Sequence, residues 1–389
     1  MVSVDANRPR APSWSGPAPR HSLTVSVLAA AAEHTDCTFS KLALAGRVNL
    51  EKLFGGTRYE PGTGADPLAI KRGRLFEEIL KKDDYAELLN LLYEQDAALG
   101  ATGTIGAFGA DARIARLRDL PAPAGRSGLE VRAEATRGEL AKIARRDWDA
   151  PTLIDGAVIR ARIGGEIAYF EADGLAAASN GALHVVEAKS FPLIDGRCDP
   201  VKLGAACAQA GLYAALVRAQ LLEDHLPAST DSDTGFIVLP KNTRLGRAVL
   251  LRQNLSFHIR RAERLLSLAH LDAAAVKRIE GRSFPAEGTG AAERVEGLSH
   301  LMDQAGTHYR PECLEHCAAA KLCRERAYQA GRLAILGDQA SREMSGVESF
   351  ERVLKLAAGA DPLDHERESA RELVRARKLY RRVLREAKS

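Results

Sequence analysis

The sequence predicts an α/β protein: a mixed β-sheet flanked by helices, with helical N- and C-terminal parts joined at a cysteine metal cluster. Three observations predict this. Short apolar runs separated by glycine-containing turns fill the stretch from Leu153 to Ser190. A strongly amphipathic run from Pro200 to Leu222 precedes the short buried-strand run Gly235 to Pro240. Three cysteines crowd together as Cys313-x3-Cys317-x5-Cys323, with Cys37 far upstream.

In chain order, the Pro-, Ser- and Arg-rich residues 1–22 read as a disordered tail. Leu23 to Glu33 reads as a helix. Beyond a Gly/Pro loop, Leu68, Leu75, Phe76, Ile79, Leu80, Leu88, Leu91 and Leu92 recur at helical spacing, which predicts one amphipathic helix or a pair. Glu77 lies within it, after Lys71, Arg72 and Arg74. Residues 98–150 carry no sharp period, apart from a helix from about Thr136 to Arg146. Leu153 to Ile163 reads as a strand that turns at Gly164-Gly165. A second strand, about Ile167 to Leu175, then carries Asp173, and Ser179-Asn180-Gly181 supplies a hairpin turn. The partner strand, Leu183 to Ser190, carries His184, Glu187 and Lys189. On the helix after it, Gln209 and Tyr213 are four apart and share a face. Helices follow at Leu255 to Leu268, Ala273 to Glu280 and Ala291 to Gln304. The tail from Gln339 is mostly helical, broken near Gly359 to Pro362, and ends in a basic segment with a Leu/Val/Tyr stripe.

Composition bounds the function classes. The chain has 389 residues, 46% hydrophobic and 27% charged, ordinary for a globular protein. Its net charge of +4 permits nucleic-acid binding without demanding it. No apolar run approaches the roughly 20 residues of a membrane-spanning helix, so a cytoplasmic protein with no membrane partner is expected. Its six cysteines are then expected as reduced thiols or metal ligands rather than disulfides.

Strand side chains alternate faces, so Glu187 and Lys189 project together while His184 points the other way and receives no role. Asp173 reaches the same face from the neighbouring strand. Two carboxylates repel unless a cation separates them, and hard oxygens select Mg²⁺ or Mn²⁺. Such an ion polarises a phosphoryl oxygen and acidifies a bound water. The competing reading is a plain salt bridge between Glu187 and Lys189 at a strand edge. The cysteines pose a second choice. Cys313, Cys317 and Cys323 with Cys37 suit a zinc site or a four-cysteine iron–sulfur cluster, and His316 is the other fourth ligand for zinc. Cys198 and Cys207 lie near the hairpin instead, and Cys207 reads as a buried thiol.

Taken together, these motifs resemble the RecB-like branch of the PD-(D/E)XK nucleases, and most of all its iron–sulfur-containing members. RGRLFE, ending at Glu77, resembles the family's first-helix motif; Asp173 with Glu187-Ala188-Lys189 resembles its D…ExK core. Gln209-Ala210-Gly211-Leu212-Tyr213 resembles its QxxxY helix, and the one-plus-three cysteines resemble its cluster. The resemblance covers roughly residues 30 to 330 and implies a restriction-endonuclease-like fold. It implies a nuclease domain over 23–335 with its core at 150–245; residues 336–389, which the resemblance does not cover, read as a basic helical extension.

The resemblance also implies the site. Glu77, Asp173, Glu187 and the main-chain carbonyl of Ala188 hold Mg²⁺ or Mn²⁺, Lys189 steadies the attacking water, and Gln209 and Tyr213 support Lys189 or a phosphate. Cys37, Cys313, Cys317 and Cys323 hold a [4Fe–4S] cluster, with structural zinc as the alternative. The implied activity is DNA cleavage, as an exonuclease on single strands or ends, in repair or in defence against foreign DNA. The chain has no GxxxxGK[ST] loop, so a helicase or ATPase is expected as a separate partner, or a defence-system subunit. The rival class is a catalytically inactive nucleic-acid- or protein-binding subunit of a larger complex.

Overall fold

The computed structural model describes residues 18–19, 28, 31–32, 36–61, 67–98, 112–163, 166–178, 181–227, 232–267, 279, 282–311, 313–344 and 346–386. The expected N-terminal tail, the expected helices from Leu23 to Glu33 and from Ala273 to Glu280, the Gly164-Gly165 turn, and Ser179 and Asn180 lie wholly or largely outside them.

In chain order the described residues form helices α1 (Thr38–Ala45), α2 (Leu50–Phe54), α3 (Pro67–Leu80) and α4 (Lys82–Ala98). Strand β1 (Ile114–Arg116) and helix α5 (Gly128–Arg145) follow. Then come strands β2 (Leu153–Asp155), β3 (Val158–Ile163), β4 (Glu166–Glu171), β5 (Gly174–Ala177) and β6 (Leu183–Ala188). Helix α6 (Pro200–Glu223), strands β7 (Thr234–Pro240) and β8 (Ala248–Asn254), and helix α7 (Ser256–Ser267) come next. The remaining helices are α8 (Ala291–Ala305), α9 (Cys313–His316), α10 (Ala320–Gln329), α11 (Asp338–Glu343), α12 (Phe350–Ala358) and α13 (Arg367–Glu386).

These elements fall into two compact units, one within residues 63–273 and one built from residues 36–62 and 274–389. The first holds a six-stranded mixed sheet in the order β1-β2-β5-β6-β7-β8. Strands β1 and β2 are parallel, as are β6 and β7, and the other neighbours are antiparallel. The expected mixed sheet flanked by helices is therefore present. Two readings of the strands need correction. Leu153 to Ile163 is not one strand: Gly156, at φ +66°, breaks it so that β2 joins the sheet while β3 pairs with β4 in a separate hairpin. The stretch from Ile167 to Leu175 is likewise split, and Asp173 sits in the bend between β4 and β5.

Helices cover both sheet faces. Phe76, Leu80, Leu88, Leu89 and Leu92 of α3 and α4 pack on Leu153, Val186, Phe236 and Val238 of the strands. Each such side chain, fully buried, stabilises by about 1.5–3 kcal/mol. Of the one helix or pair expected around Glu77, the pair is present: α3 ends at Leu80, and Asp83, Asp84 and Tyr85 adopt positive φ and kink the first turn of α4. Helix α6 packs on β3, β6 and β7 and beside α7. Its start is set by Asp199, whose carboxylate accepts from the amides of Val201 and Lys202, with Pro200 at the first turn. Gly211 lets α6 and α7 meet: a Cβ there would lie 2.5 Å from that of His258. By length and composition α6 passes for a membrane span, yet most of it is buried within this unit.

The second unit is helical. Asn49 caps α2 by accepting from the Lys52 amide, and Arg294 of α8 donates to the carbonyls of Leu53 and Gly55. Phe39 of α1 stacks near Phe284, ring centres 5.6 Å apart. A small satellite core of Val347, Val353, Leu356 and Ala370 joins α12 to α13, and Gly359, at φ +99°, ends α12 where the break was expected. Beyond it, the last turns of α13 leave Leu379, Tyr380, Val383 and Leu384 exposed.

Candidate active site and thiol cluster

Of the expected site residues, Glu77, Asp173, Glu187, Lys189 and Tyr213 lie within one another's electrostatic reach at one end of the sheet. Glu187 and Lys189 leave the end of β6 on one face, and the Lys189 amide extends the parallel ladder by donating to the Val238 carbonyl at 2.9 Å. The Lys189 ammonium meets Glu187 Oε1 at 2.5 Å. Asp173 reaches over from the β4–β5 bend, and its Oδ2 accepts from the Ala188 amide at 3.0 Å. Helix α3 brings Glu77 above them. It is held there by Arg72, which donates to the Ser190 carbonyl at 3.0 Å and the Thr243 carbonyl at 2.8 Å. A cavity of about 30 Å³, room for solvent, opens among Glu77, Tyr85, Asp155, Asp173 and Ala188.

The electrostatics follow from burial. Glu187 is almost completely buried, which pushes its carboxyl up to about 7; Asp173 adds to the rise and Lys189 opposes it. Burial also raises Asp173, against Lys189 and the Ala188 amide. For Lys189 burial pulls downward, but Glu187 and then Asp173 outweigh it, so its ammonium is held above the ordinary lysine value. The second carboxylate oxygen of Glu187 is buried with no hydrogen-bond partner. An orphaned anionic oxygen of this kind costs several kcal/mol, roughly, and calls for a cation. The donor set of Glu77, Asp173 and Glu187 is all hard oxygen, which fits Mg²⁺ or Mn²⁺.

Tyr213 and Gln209 sit one turn apart on α6. Burial raises the Tyr213 phenol, and Glu187 and Asp173 raise it further, so it lies within their electrostatic reach. Its hydroxyl donates to the main-chain carbonyl of Glu171, two residues before Asp173, rather than to Lys189. Gln209 is half-buried. His184 is buried on the other side of β6, its Nδ1 3.0 Å from the Thr234 carbonyl and its ring beside Phe236. Cys207 is a buried thiol on α6.

Sequence reasoning missed Arg118. It follows β1 in a short 3-10 turn (Leu117–Asp119), and its guanidinium lies 3.1 Å from Glu77, 3.1 Å from Glu171, 3.8 Å from Asp155 and 3.9 Å from Asp173. Lys81 also pairs with Asp155 at 3.1 Å, and Arg132 with Glu171 at 3.0 Å. A three-residue strand and a lone arginine carry no periodic signal, so only the tertiary fold reveals this cluster.

In the helical unit, Cys37 is the N-cap residue of α1, Cys313 opens α9 and Cys317 directly follows it. Cys37, Cys313 and Cys323 are buried, and none of the four is in a disulfide. They lie within one another's electrostatic reach. Burial raises the Cys323 thiol and the charges of Cys317, Cys37 and Cys313 add to it. Burial pushes Cys317 up to about 12, opposed by an amide hydrogen bond from Ala319 and helped by Cys37 and Cys313. The Arg310 amide donates to Cys313 Sγ at 3.4 Å. Four converging reduced thiols with amide donors are a donor set that fits an iron–sulfur cluster or zinc. The His316 side chain lies outside the described residues. Among the described residues no group of three or more His, Cys, Asp or Glu side chains is already drawn to the spacing of a single metal ion.

Compared with known proteins, the chain matches no family model, no curated sequence and no solved structure.

Proposed function

We propose that this chain is a metal-dependent DNA nuclease that hydrolyses phosphodiester bonds. The observation that carries the reading is the buried Glu187 carboxylate, with one oxygen on Lys189, the other unpartnered, and Asp173 beside it. A plain salt bridge at a strand edge leaves that second oxygen unexplained. Glu77, Asp173, Glu187 and the Ala188 carbonyl would hold Mg²⁺ or Mn²⁺. When bound, the ion supplies Lewis acidity toward a phosphoryl oxygen and a more acidic water.

The chain's own residues divide the remaining work. Lys189 stays protonated, so it acts as a hydrogen-bond donor and positive charge toward the attacking oxygen and the developing phosphorane, not as the base. Asp173, fixed by the Ala188 amide, sets the geometry of the acid pair. Tyr213 anchors the chain just before Asp173 through the Glu171 carbonyl and so supports the site at one remove. Gln209, one turn earlier on the same helix, is assigned to a phosphate.

We further propose that Cys37, Cys313, Cys317 and Cys323 hold a [4Fe–4S] cluster of structural role, with Zn²⁺ as the alternative, in a cytoplasmic protein of DNA repair or defence. Ligation would couple residues 37 and 313–323, far apart in sequence, and contribute folding free energy. Brown protein with a broad visible absorption band is expected after anaerobic purification; colourless protein with stoichiometric zinc decides for the alternative. A separate helicase, ATPase or defence-system subunit would supply any motor.

The activity is tested with end-labelled single-stranded, duplex and circular DNA in Mn²⁺ or Mg²⁺. Shortening of single strands that stops on chelation is expected, with circular DNA spared if the enzyme needs ends. The second reading is an inactive binding subunit. It is favoured by α13, where Arg375, Lys378, Arg381, Arg382 and Arg385 flank exposed Leu379 and Tyr380. DNA retention without cleavage in any divalent metal would decide for it.

A further inference from the structure

Arg118 is placed unlike any other cation in the sheet-bearing unit. Among the described residues it is the one side-chain cation in ion-pair contact with both Glu77 and Asp173, two of the three acids assigned to the metal. The other acids nearby have their own partners: Asp155 has Lys81, Glu171 has Arg132, and Glu187 has Lys189. The surroundings are shaped to admit the guanidinium. Gly156, in the turn after β2, has φ +66°, and a Cβ there would lie 2.3 Å from Arg118 Cγ and 2.8 Å from its Nε. That turn is in turn held by Arg132, which donates to the Gly156 carbonyl at 2.6 Å. An arginine stays charged at every accessible pH, so this contact is permanent until something displaces it.

We infer that Arg118 is a built-in counter-cation of the acidic site, occupying the space between Glu77 and Asp173 that a divalent ion takes, so that metal loading requires the guanidinium to leave. The inference rests on the metal-dependent reading above. Without metal, Arg118 holds four carboxylates together that would otherwise repel across the sheet end. With metal, the ion does that work and the guanidinium is released toward solvent, where 28% of its side-chain surface already lies. Arg118 is thus a positioning residue that competes with the ion rather than a ligand or an acid–base group. The physical consequence is opposite in sign for two quantities: removing it weakens the metal-free fold and strengthens metal binding.

The test measures free Mn²⁺ by its electron paramagnetic resonance signal, titrated at pH 8 without DNA, together with thermal unfolding in chelator and in Mn²⁺. For Arg118→Met the expected result is Mn²⁺ bound roughly tenfold more tightly than by wild type, a size typical of coupling between competing ligands. A lower midpoint of unfolding in chelator and a larger rise on adding Mn²⁺ accompany it. If Arg118→Met folds only when Mn²⁺ is present, that supports the inference too. Should it not fold at all, Arg118→Lys decides, because a single ammonium keeps the charge but spans fewer of the four acids: tighter Mn²⁺ binding than wild type supports the inference. Mn²⁺ bound by wild type but equally or more weakly by the variants overturns the inference and leaves the metal site standing. Mn²⁺ left free by wild type and variants alike overturns the metal-site reading itself, and the inference with it.

Discussion

Glu187 and Lys189 face each other across 2.5 Å at the end of β6, the Glu187 side chain almost wholly buried and the Lys189 side chain about one-third exposed. Lys189→Ala removes the charge that meets developing negative charge on phosphate while leaving the oxygen donors in place. Cleavage should fall by about 10²–10³-fold, with Mn²⁺ still bound. Single-turnover rates beside a Mn²⁺ titration check this; loss of both together would mean that Lys189 merely holds the acids.

Metal loading should depend on pH with a defined sign. Glu187 titrates near 7 in the folded chain and near the ordinary glutamate value when unfolded. Between those values the folded chain holds a proton that the unfolded chain has lost. Metal-free stability from this group is therefore fully present below the unfolded value and declines as pH rises, being lost above about 7. Asp173, also raised, acts in the same direction. Divalent binding must expel these protons, so Mn²⁺ affinity should climb up to about pH 7 and then level. Titration calorimetry in two buffers of different ionisation enthalpy reads the released protons; a flat affinity from pH 5.5 to 8, an interval of roughly the width over which such acids titrate, contradicts the account.

The thiol cluster makes an independent claim on the helical unit. Cys313→Ser or Cys323→Ser should abolish bound iron or zinc and lower thermal stability. Cys207→Ser, in the other unit, should keep the metal. Metal analysis with visible absorption checks this, and full metal content in the Cys323 variant removes it as a ligand.

Packing of α6 on α7 supports the site from behind. At Gly211 an added Cβ meets His258 Cβ at 2.5 Å, the His258 carbonyl carbon at 3.0 Å and the Ile259 nitrogen at 3.1 Å, which side-chain rotation cannot relieve. Gly211→Ala should cost about 1–3 kcal/mol, read by denaturant unfolding. An unchanged midpoint would show that the helices can part without loss.

Much of this arrangement was legible along the chain because it is local. Period-two alternation put Glu187 and Lys189 on one face and His184 on the other, and Gly181, at φ +83°, sits at the hairpin turn where expected. Asp173 reads as a strand residue along the chain but lies in a bend, where its carboxylate turns back to accept from the Ala188 amide. The apolar run from Leu153 to Ile163 reads as one strand straight through Gly156, yet the positive φ of that glycine sends β2 and β3 to different sheets. Strands β1 and β8 escaped notice: β1 is three residues long, and β8 is a half-exposed run without clean alternation. Arg118 escaped for a deeper reason, since its role depends on four acids contributed by α3, β2, β4 and the β4–β5 bend. The Tyr213 partner, a main-chain carbonyl, leaves no trace in residue types.

The central claim is that Glu77, Asp173 and Glu187 share a divalent ion that acts on DNA. Its most direct measurement is cleavage of end-labelled single-stranded DNA in a Mn²⁺ series by wild type, Asp173→Ala and Lys189→Ala purified side by side. Metal-dependent cleavage by wild type, lost in Asp173→Ala and strongly reduced in Lys189→Ala, is the predicted result. Cleavage that survives both substitutions, or none in wild type with the ion bound, contradicts it.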